Sequence, residues 1–255
     1  MKLATWNVNS LNVRLPHVLD WLKENPIEVL CLQETKQEDS KFPYEELKVA
    51  GYNAVHSGQK TYNGVAILSK HEIADVSYGI AGFEDEQKRV ISATINGIRV
   101  ICVYVVNGQA VDSEKFAYKM RWLDALSNWL ADEMKKYSHL VVLGDYNIAP
   151  DDRDCHDPEA WEGNILVSPA ERDAFETLLG LGLHDSDRIF ESDGGHYSWW
   201  DYRMMGFRRN RGLRIDHILI SVALKKKSIG CYIDKAPRKL ERPSDHTPVV
   251  LELAL

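Results

Sequence analysis

The sequence lacks any long hydrophobic run. No apolar stretch of the 255-residue chain approaches the roughly 18 residues that a membrane-spanning helix needs, so we expect no membrane span. The first residues, "MKLATWNVNS", hold no apolar stretch followed by a cleavage site and do not resemble a signal peptide. We therefore expect a cytoplasmic protein without a membrane partner.

Cysteine is also scarce, and no Cys-x-x-Cys pair occurs among the four cysteines. A zinc site and a disulfide framework are both disfavoured for that reason. A serine nucleophile elbow, a Cys–His pair and a glycine-rich phosphate loop are absent as well. The common sequence signs of a protein nucleophile or a nucleotide-binding loop are therefore missing.

Positive charge is in the minority, but it is concentrated near the C-terminus. The net charge is −7, yet residues 203–242 hold twelve Lys and Arg against three acidic residues and carry +9. Within this segment five arginines are clustered: Arg203, Arg208, Arg209, Arg211 and Arg214. A guanidinium group can bind phosphate through two hydrogen bonds. The segment is either a phosphate-binding surface or an ordinary solvated one.

Short apolar runs rich in Val and Ile indicate β-strands, and helical periodicity appears in only three segments. The predicted strands are 2–8, 28–33, 63–68, 90–95, 98–106, 139–144, 215–221 and 247–254. The predicted helices are 15–24, 113–136 and 169–180. No linker or fixed repeat divides the chain, so we expect one domain over residues 1–255, built from two packed sheets with helices outside.

Polar side chains follow or precede most of these apolar runs. They are Asn7, Asn9, Gln33, Glu34, Tyr104, Asn107, Asp145, Asn147, Asp216, Asp245 and His246. A turn residue explains any one of them, but six such strand ends predict a shared acidic, amide-rich pocket at one edge of the sandwich. Oxygen ligands of this kind suit a hard cation such as Mg²⁺ or Mn²⁺, and water attack on a phosphate ester is the reaction class indicated.

Six strings in order resemble the exonuclease III family of class II AP endonucleases. They are "TWNVNSLNVRL", "LQETK", "GQKTYNGVAILSK", "GDYNIAP", "NRGLRIDHIL" and "PSDHTPV". The resemblance covers nearly the whole chain and implies an α/β fold, a four-layer, DNase I-like sandwich of two packed mixed β-sheets flanked by helices. It also implies a monomeric, Mg²⁺-dependent DNA repair enzyme that cleaves double-stranded DNA 5′ to abasic sites. Exonuclease (3′–5′) and 3′-phosphatase or phosphodiesterase activities at blocked 3′ ends accompany that cleavage.

The resemblance also implies roles for individual residues. Glu34 resembles the principal metal ligand, with Asn7 and Asp245 near it. Asp145 and Asn147, from the G-D-x-N motif, correspond to the pair that handles proton transfer and positioning. The general base is either Asp145 or, as the second choice, His246, and the number of metal ions is open.

The remaining catalytic residues by resemblance are Asp216, His246 and Tyr104. Asp216 is the expected partner of His246, and Tyr104 matches a tyrosine at the phosphate site. Val106 stands where the family has proline, which leaves the geometry of the loop after Tyr104 uncertain. The implied substrate-binding residues are Trp199, Leu213 and Ile215 around a base-free sugar, together with Arg208, Arg209 and Arg211.

Two other functions fit parts of the sequence. One is a phosphohydrolase of the same superfamily that acts on inositol phosphates, sphingomyelin or RNA. The other is a catalytically inactive DNA-binding module. The strings "GQKTYNGVAI" and "DYRMMGFRRNRGLRIDH" favour the DNA repair branch. The inactive module is disfavoured because Glu34, Asp145, Asp216 and His246 are all present.

Overall fold

Two six-stranded β-sheets pack face to face in the computed structural model, which describes all 255 residues. The strands are β1 (Lys2–Asn7), β2 (Val29–Gln33), β3 (Asn53–Ser57), β4 (Val65–Ser69), β5 (Ala74–Tyr78), β6 (Val90–Ile95), β7 (Ile98–Tyr104), β8 (Leu140–Asp145), β9 (Leu183–Asp185), β10 (Asp216–Ser221), β11 (Ser228–Ile233) and β12 (Val249–Leu253). The helices are α1 (Leu11–Glu24), α2 (Tyr44–Val49), α3 (Glu114–Lys136), α4 (Pro158–Trp161), α5 (Pro169–Gly180), α6 (Ser186–Phe190) and α7 (Val222–Lys225). None of these helices is both long and apolar enough to cross a lipid bilayer.

Three hydrophobic clusters lie at the three interfaces of a four-layer sandwich. The central cluster lies between the sheets, a second joins one sheet to α3 and α5, and a third joins the other sheet to α1 and α2. Along β7, Val100 and Cys102 face the other sheet, whereas Ile101 and Val103 face α3. A strand buried on both faces is apolar throughout, which is why the central strands stand out in the sequence. The predicted fold is confirmed.

The strand order brings the polar strand ends together. The first sheet has the order β11-β12-β1-β2-β4-β3, and the second has β5-β6-β7-β8-β10-β9. Strands β1 and β2 are parallel, as are β7 and β8, so each pair ends at one edge of its sheet. Strands β12 and β10 run antiparallel to β1 and β8, so they begin at those same edges.

The four strands that the sequence did not predict are β3, β5, β9 and β11, and they are the four edge strands of the two sheets. Three of them are largely exposed or half-buried along their length, and β9 has only three residues. Such strands have no continuous apolar run to reveal them. The helix α1 also begins earlier than predicted, at Leu11, and four short helices were not predicted.

Candidate active site

One buried asparagine joins the two sheets at the edge where their polar ends meet. The Nδ2 atom of Asn7, at the end of β1, donates to Glu34 Oε1 and to Asp145 Oδ2, each at 2.9 Å. Its Oδ1 atom accepts a hydrogen bond from the backbone N–H of Asn9 at 2.9 Å. The carboxylates of Glu34 and Asp145 therefore come from different sheets and share one amide donor.

His246 lies between two carboxylates of the second sheet. Its Nδ1 atom is 2.8 Å from Asp216 Oδ2, and its Nε2 atom is 3.7 Å from Asp145 Oδ2. Ser244 fixes the turn, because its hydroxyl donates to Asn7 O at 2.7 Å and accepts from the His246 N–H at 3.2 Å. The Ser-Asp-His segment before β12 thus places the imidazole at the junction of the sheets.

The electrostatics of this cluster favour a protonated imidazole. Burial alone lowers the pKa of His246, but the carboxylates of Asp216 and Asp145 outweigh it and raise the pKa to about 10. Burial raises the pKa of Asp145 to about 7, although His246 opposes that rise. At neutral pH His246 is therefore a hydrogen-bond donor, and Asp145 is the more suitable proton acceptor.

Tyr104 is the other donor of the site. Burial raises its pKa well above the ordinary value, and the neighbouring carboxylates of Glu34 and Asp145 raise it further. The guanidinium of Arg89 lies over the phenol ring, 4.7 Å from its centroid. The loop after Tyr104 is held in place, since Val106 is buried against the helical layer and the N–H of Val105 donates to Asp145 O at 2.8 Å.

Asn147 orients the carboxylate of Asp145. Its backbone N–H donates to Asp145 Oδ1 at 2.9 Å, and its Nδ2 atom donates to Asp145 Oδ2 at 3.3 Å and to Val105 O at 3.1 Å. Its own Oδ1 accepts from Asn107 Nδ2 at 3.0 Å. Asn147 has φ +49°, in the left-handed region that Asn tolerates better than most residues. The G-D-x-N motif therefore fixes both oxygens of the carboxylate.

The oxygen atoms near Glu34 fit a divalent cation. Ligand atoms of Glu34, Asp145 and His246 lie within 4.8 Å of one another. The carboxylates of Glu34 and Asp145 supply oxygen ligands, which suit a hard cation. The two carboxylate oxygens of Asp245 accept from Asn9 Nδ2 at 2.9 Å and from Trp199 Nε1 at 3.0 Å.

The predicted substrate-binding residues are divided between surface and core. Trp199 is half-buried and lines a pocket of about 360 Å³ together with His156, Trp161 and Arg211. Leu213 and Ile215 are buried in a small apolar cluster against which Trp199 packs, so they support the pocket from behind. The three predicted arginines are all exposed: Arg208, Arg209 and Arg211.

One arginine of the basic segment is not accessible to DNA. Arg214 is fully buried, and its guanidinium donates to Asp154 at 2.6 Å and to Asp185 at 2.8 Å. It also contacts His217, whose pKa is lowered to about 4, mainly by burial. Grouping Arg214 with the exposed arginines was therefore wrong, because its charge is neutralised inside the protein.

Sequence reasoning also missed several polar residues that surround the site. Lys36 contacts Glu34 Oε2 at 2.8 Å, and Arg89 stacks on Tyr104. The Ser198 hydroxyl accepts from the backbone N–H of Asp216 at 3.0 Å. In the sequence, Lys36 is the last residue of the string "LQETK" and Ser198 directly precedes Trp199. This proximity to predicted site residues was the only sequence feature that pointed to them. Lys119, in the second turn of α3, had no such signal in the sequence.

Residues 4–246 match the Endonuclease/Exonuclease/phosphatase family. The chain belongs to this family. It is 37% identical to the exodeoxyribonuclease III of Haemophilus influenzae, over 99% of each chain. The predicted DNA repair nuclease, a hydrolase of DNA phosphodiester bonds, is thereby confirmed.

Two solved structures resemble the chain over its whole length. One is the 3′ phosphatase NExo from Neisseria bound to product DNA hairpin, with a TM-score of 0.99 and 51% identity. The other is an AP endonuclease from Archaeoglobus fulgidus, with a TM-score of 0.96 and 40% identity. Each of these chains is covered completely, as is the chain described here.

Proposed function

We propose that the chain is a Mg²⁺-dependent phosphodiesterase that cleaves double-stranded DNA 5′ to abasic sites and clears blocked 3′ ends. The observation that carries this proposal is the single centre in which Glu34 and Asp145, bridged by Asn7, face the Asp216–His246 pair. The names of the similar structures, a 3′ phosphatase and an AP endonuclease, support both halves of the activity.

Glu34 is the proposed principal ligand of Mg²⁺, for which Mn²⁺ can substitute, and Asp145 lies close enough to contribute. When bound, the cation supplies a Lewis acid that neutralises charge on the scissile phosphate. Asn7 fixes the relative position of these two carboxylates, because its amide donates a hydrogen bond to each. Asp245 is proposed to lie near the cation rather than to be its principal ligand, and its two oxygens also orient Asn9 and Trp199.

His246 and Tyr104 donate hydrogen bonds to phosphate oxygens in the proposed reaction. Asp216 keeps the imidazole protonated and in place, through the contact at 2.8 Å. Asp145, held by Asn147, accepts a proton from the attacking water, and the products carry a 3′-hydroxyl and a 5′-phosphate. Asp145 is preferred over His246 as the base because His246 already carries a proton at neutral pH.

DNA is proposed to lie across the strand-end edge, with the exposed arginines on the phosphate backbone and Trp199 beside the damaged nucleotide. The basic segment then offsets the acidic character of the rest of the chain. Action as a monomer in the cytoplasm stays a prediction, and so does a single domain over residues 1–255.

The test uses end-labelled duplexes that carry an internal abasic-site analogue, a 3′-phosphate or no lesion, each with Mg²⁺ or with EDTA. We expect metal-dependent cleavage 5′ to the abasic site and metal-dependent release of the 3′-phosphate. Binding without cleavage would instead support the inactive DNA-binding module. Hydrolysis of inositol phosphates, sphingomyelin or RNA in preference to DNA would support the other phosphohydrolases.

A further inference from the structure

Lys119 lies in the second turn of α3 and is fully buried, although lysine is among the residues least often buried. Its Nζ atom donates to Asn147 O at 2.7 Å and to Asn107 O at 3.2 Å. The third contact is an ion pair with the carboxylate of Glu171, which is also fully buried. All three contacts hold the ammonium group inside the protein.

The two carbonyl contacts hold the loops that follow β7 and β8. Asn107 and Asn147 lie in these loops, and their side chains are joined by the 3.0 Å hydrogen bond between Asn107 Nδ2 and Asn147 Oδ1. Asn147 in turn donates twice to the carboxylate of Asp145. One ammonium group therefore fixes the main chain on which the Asp145–Asn147 arrangement depends.

Glu171 provides a fixed anchor for the ammonium group. Its carboxylate accepts from the backbone N–H of Ser168 and of Leu166, both at 3.1 Å, and closes the capping box at the start of α5. The loop also packs closely on the lysine stem, because a Cβ added to Gly108 would lie 3.1 Å from Lys119 Cδ. The position of Nζ is thus set from both sides.

A buried ion pair is weak evidence for stability, because desolvation offsets much of the attraction between the charges. The hydrogen bonds from Lys119 Nζ to the carbonyls of Asn107 and Asn147 indicate a role in positioning these loops instead. We propose that Lys119 is a positioning residue that holds Asn147, and through it the Asp145 carboxylate, in the geometry that phosphodiester hydrolysis requires. This inference rests on the proposed function of Asp145.

The first test compares Lys119→Met with a matched control, Arg99→Met. Arg99 is also buried and pairs with Glu133 at 3.0 Å, but it lies near the start of β7, at the opposite end from Tyr104. Both changes should lower Tm, because each removes the buried cation of an ion pair: Lys119→Met leaves Glu171 without one, and Arg99→Met leaves Glu133 with only Lys136, at 2.9 Å. Only Lys119→Met should lower kcat on the 3′-phosphate duplex, by about 10–100-fold with KM little changed, as for residues that orient active-site ligands.

A double variant separates positioning from stability. Lys119→Met with Glu171→Gln removes both charges but keeps a residue suited to the capping box. Tm should recover relative to Lys119→Met, whereas kcat should stay low because the carbonyls of Asn107 and Asn147 still lack their donor. Recovery of kcat together with Tm, or an equal loss of kcat in Arg99→Met, would overturn the proposal.

A readout without metal or substrate keeps this inference separate from the proposed function. Hydrogen exchange of the Asn147 side-chain amide, measured by NMR, should be slow in the wild-type protein and in Arg99→Met. In the double variant we expect it to be faster, by about tenfold or more for a 1.4 kcal/mol easier opening of the loop. Unchanged exchange in the double variant would contradict the positioning role, whatever the activity. If the wild-type protein does not cleave the 3′-phosphate duplex in the kcat assay, that result contradicts the proposed function but not the positioning role.

Discussion

At the scale of single residues, the contact between Asp216 and His246 explains how a buried imidazole keeps its proton. If Asp216 acts only through His246, the two residues form one functional unit and the effects of removing them should not add. His246→Ala should lower kcat by about 10²–10³-fold, as removal of a donor to a developing negative charge does. Asp216→Asn in the His246→Ala background should then cost little more.

The measurement is kcat/KM of the wild type, both single variants and the double variant on one DNA substrate. Melting temperatures recorded beside the rates control for loss of folding, because Asp216 is fully buried. Effects that simply add would separate the two residues and remove the pair from the mechanism.

Trp199 is the residue that links substrate choice to the catalytic centre. An extruded base-free sugar needs less space than a normal nucleotide, which must also give up its stacking at a cost of a few kcal/mol. Incision at an internal abasic site should therefore exceed cleavage of undamaged duplex by about 10²-fold or more. Trp199→Ala should reduce this preference and spare metal binding, since Trp199 contacts Asp245 and not Glu34.

The comparison for Trp199→Ala needs abasic incision, 3′-phosphate release and Tm from the same preparation. A selective fall in abasic incision supports the pocket role. If abasic incision and 3′-phosphate release fall equally, in proportion to a lower Tm, Trp199 is only part of the core.

At the scale of elements, the exposed arginines lie in the loop between Trp199 and the start of β10. DNA affinity should fall steeply with salt despite the net charge of −7, because counterion release depends on the phosphates that are neutralised locally. Replacing Arg208, Arg209 and Arg211 by Ala should weaken binding and flatten the salt dependence. The log–log slope should change by about 0.9 for each phosphate that is no longer neutralised.

The matched control is the triple alanine variant of Lys225, Lys226 and Lys227. These lysines belong to the same basic segment but follow the end of β10, away from the edge where Asp216 lies. Their replacement should leave the salt slope unchanged. If the arginine variant leaves the salt slope unchanged, the arginine loop does not contact DNA. The same conclusion follows if both variants change the slope equally.

Elements also divide into those that the sequence predicts and those that it does not. Central strands such as β7 are buried on both faces, so their apolar runs identify them, and their polar ends lie together as predicted. Edge strands such as β11 have exposed positions and no such run. The burial of Lys119 and Arg214 was not predictable, because each charge is stabilised only by partners distant in the chain.

At the scale of the whole molecule, the site exists only where the two sheets meet. Glu34 and Asn7 come from the first sheet, whereas Asp145, Asp216 and Tyr104 come from the second. No single strand end carries enough groups to bind a cation and donate to a phosphate. The central claim is therefore that the cation held by Glu34 acts together with the groups of the other sheet.

The measurement that tests this claim most directly is the initial cleavage rate of wild type and Glu34→Gln as Mg²⁺ is titrated from EDTA-treated protein. Glutamine keeps the size of the side chain but removes the charge, so Tm should stay close to wild type. We expect wild-type cleavage to require Mg²⁺ and Glu34→Gln to lose most activity at low Mg²⁺, with partial recovery at high Mg²⁺. Near-wild-type turnover by Glu34→Gln at low Mg²⁺ would contradict the account.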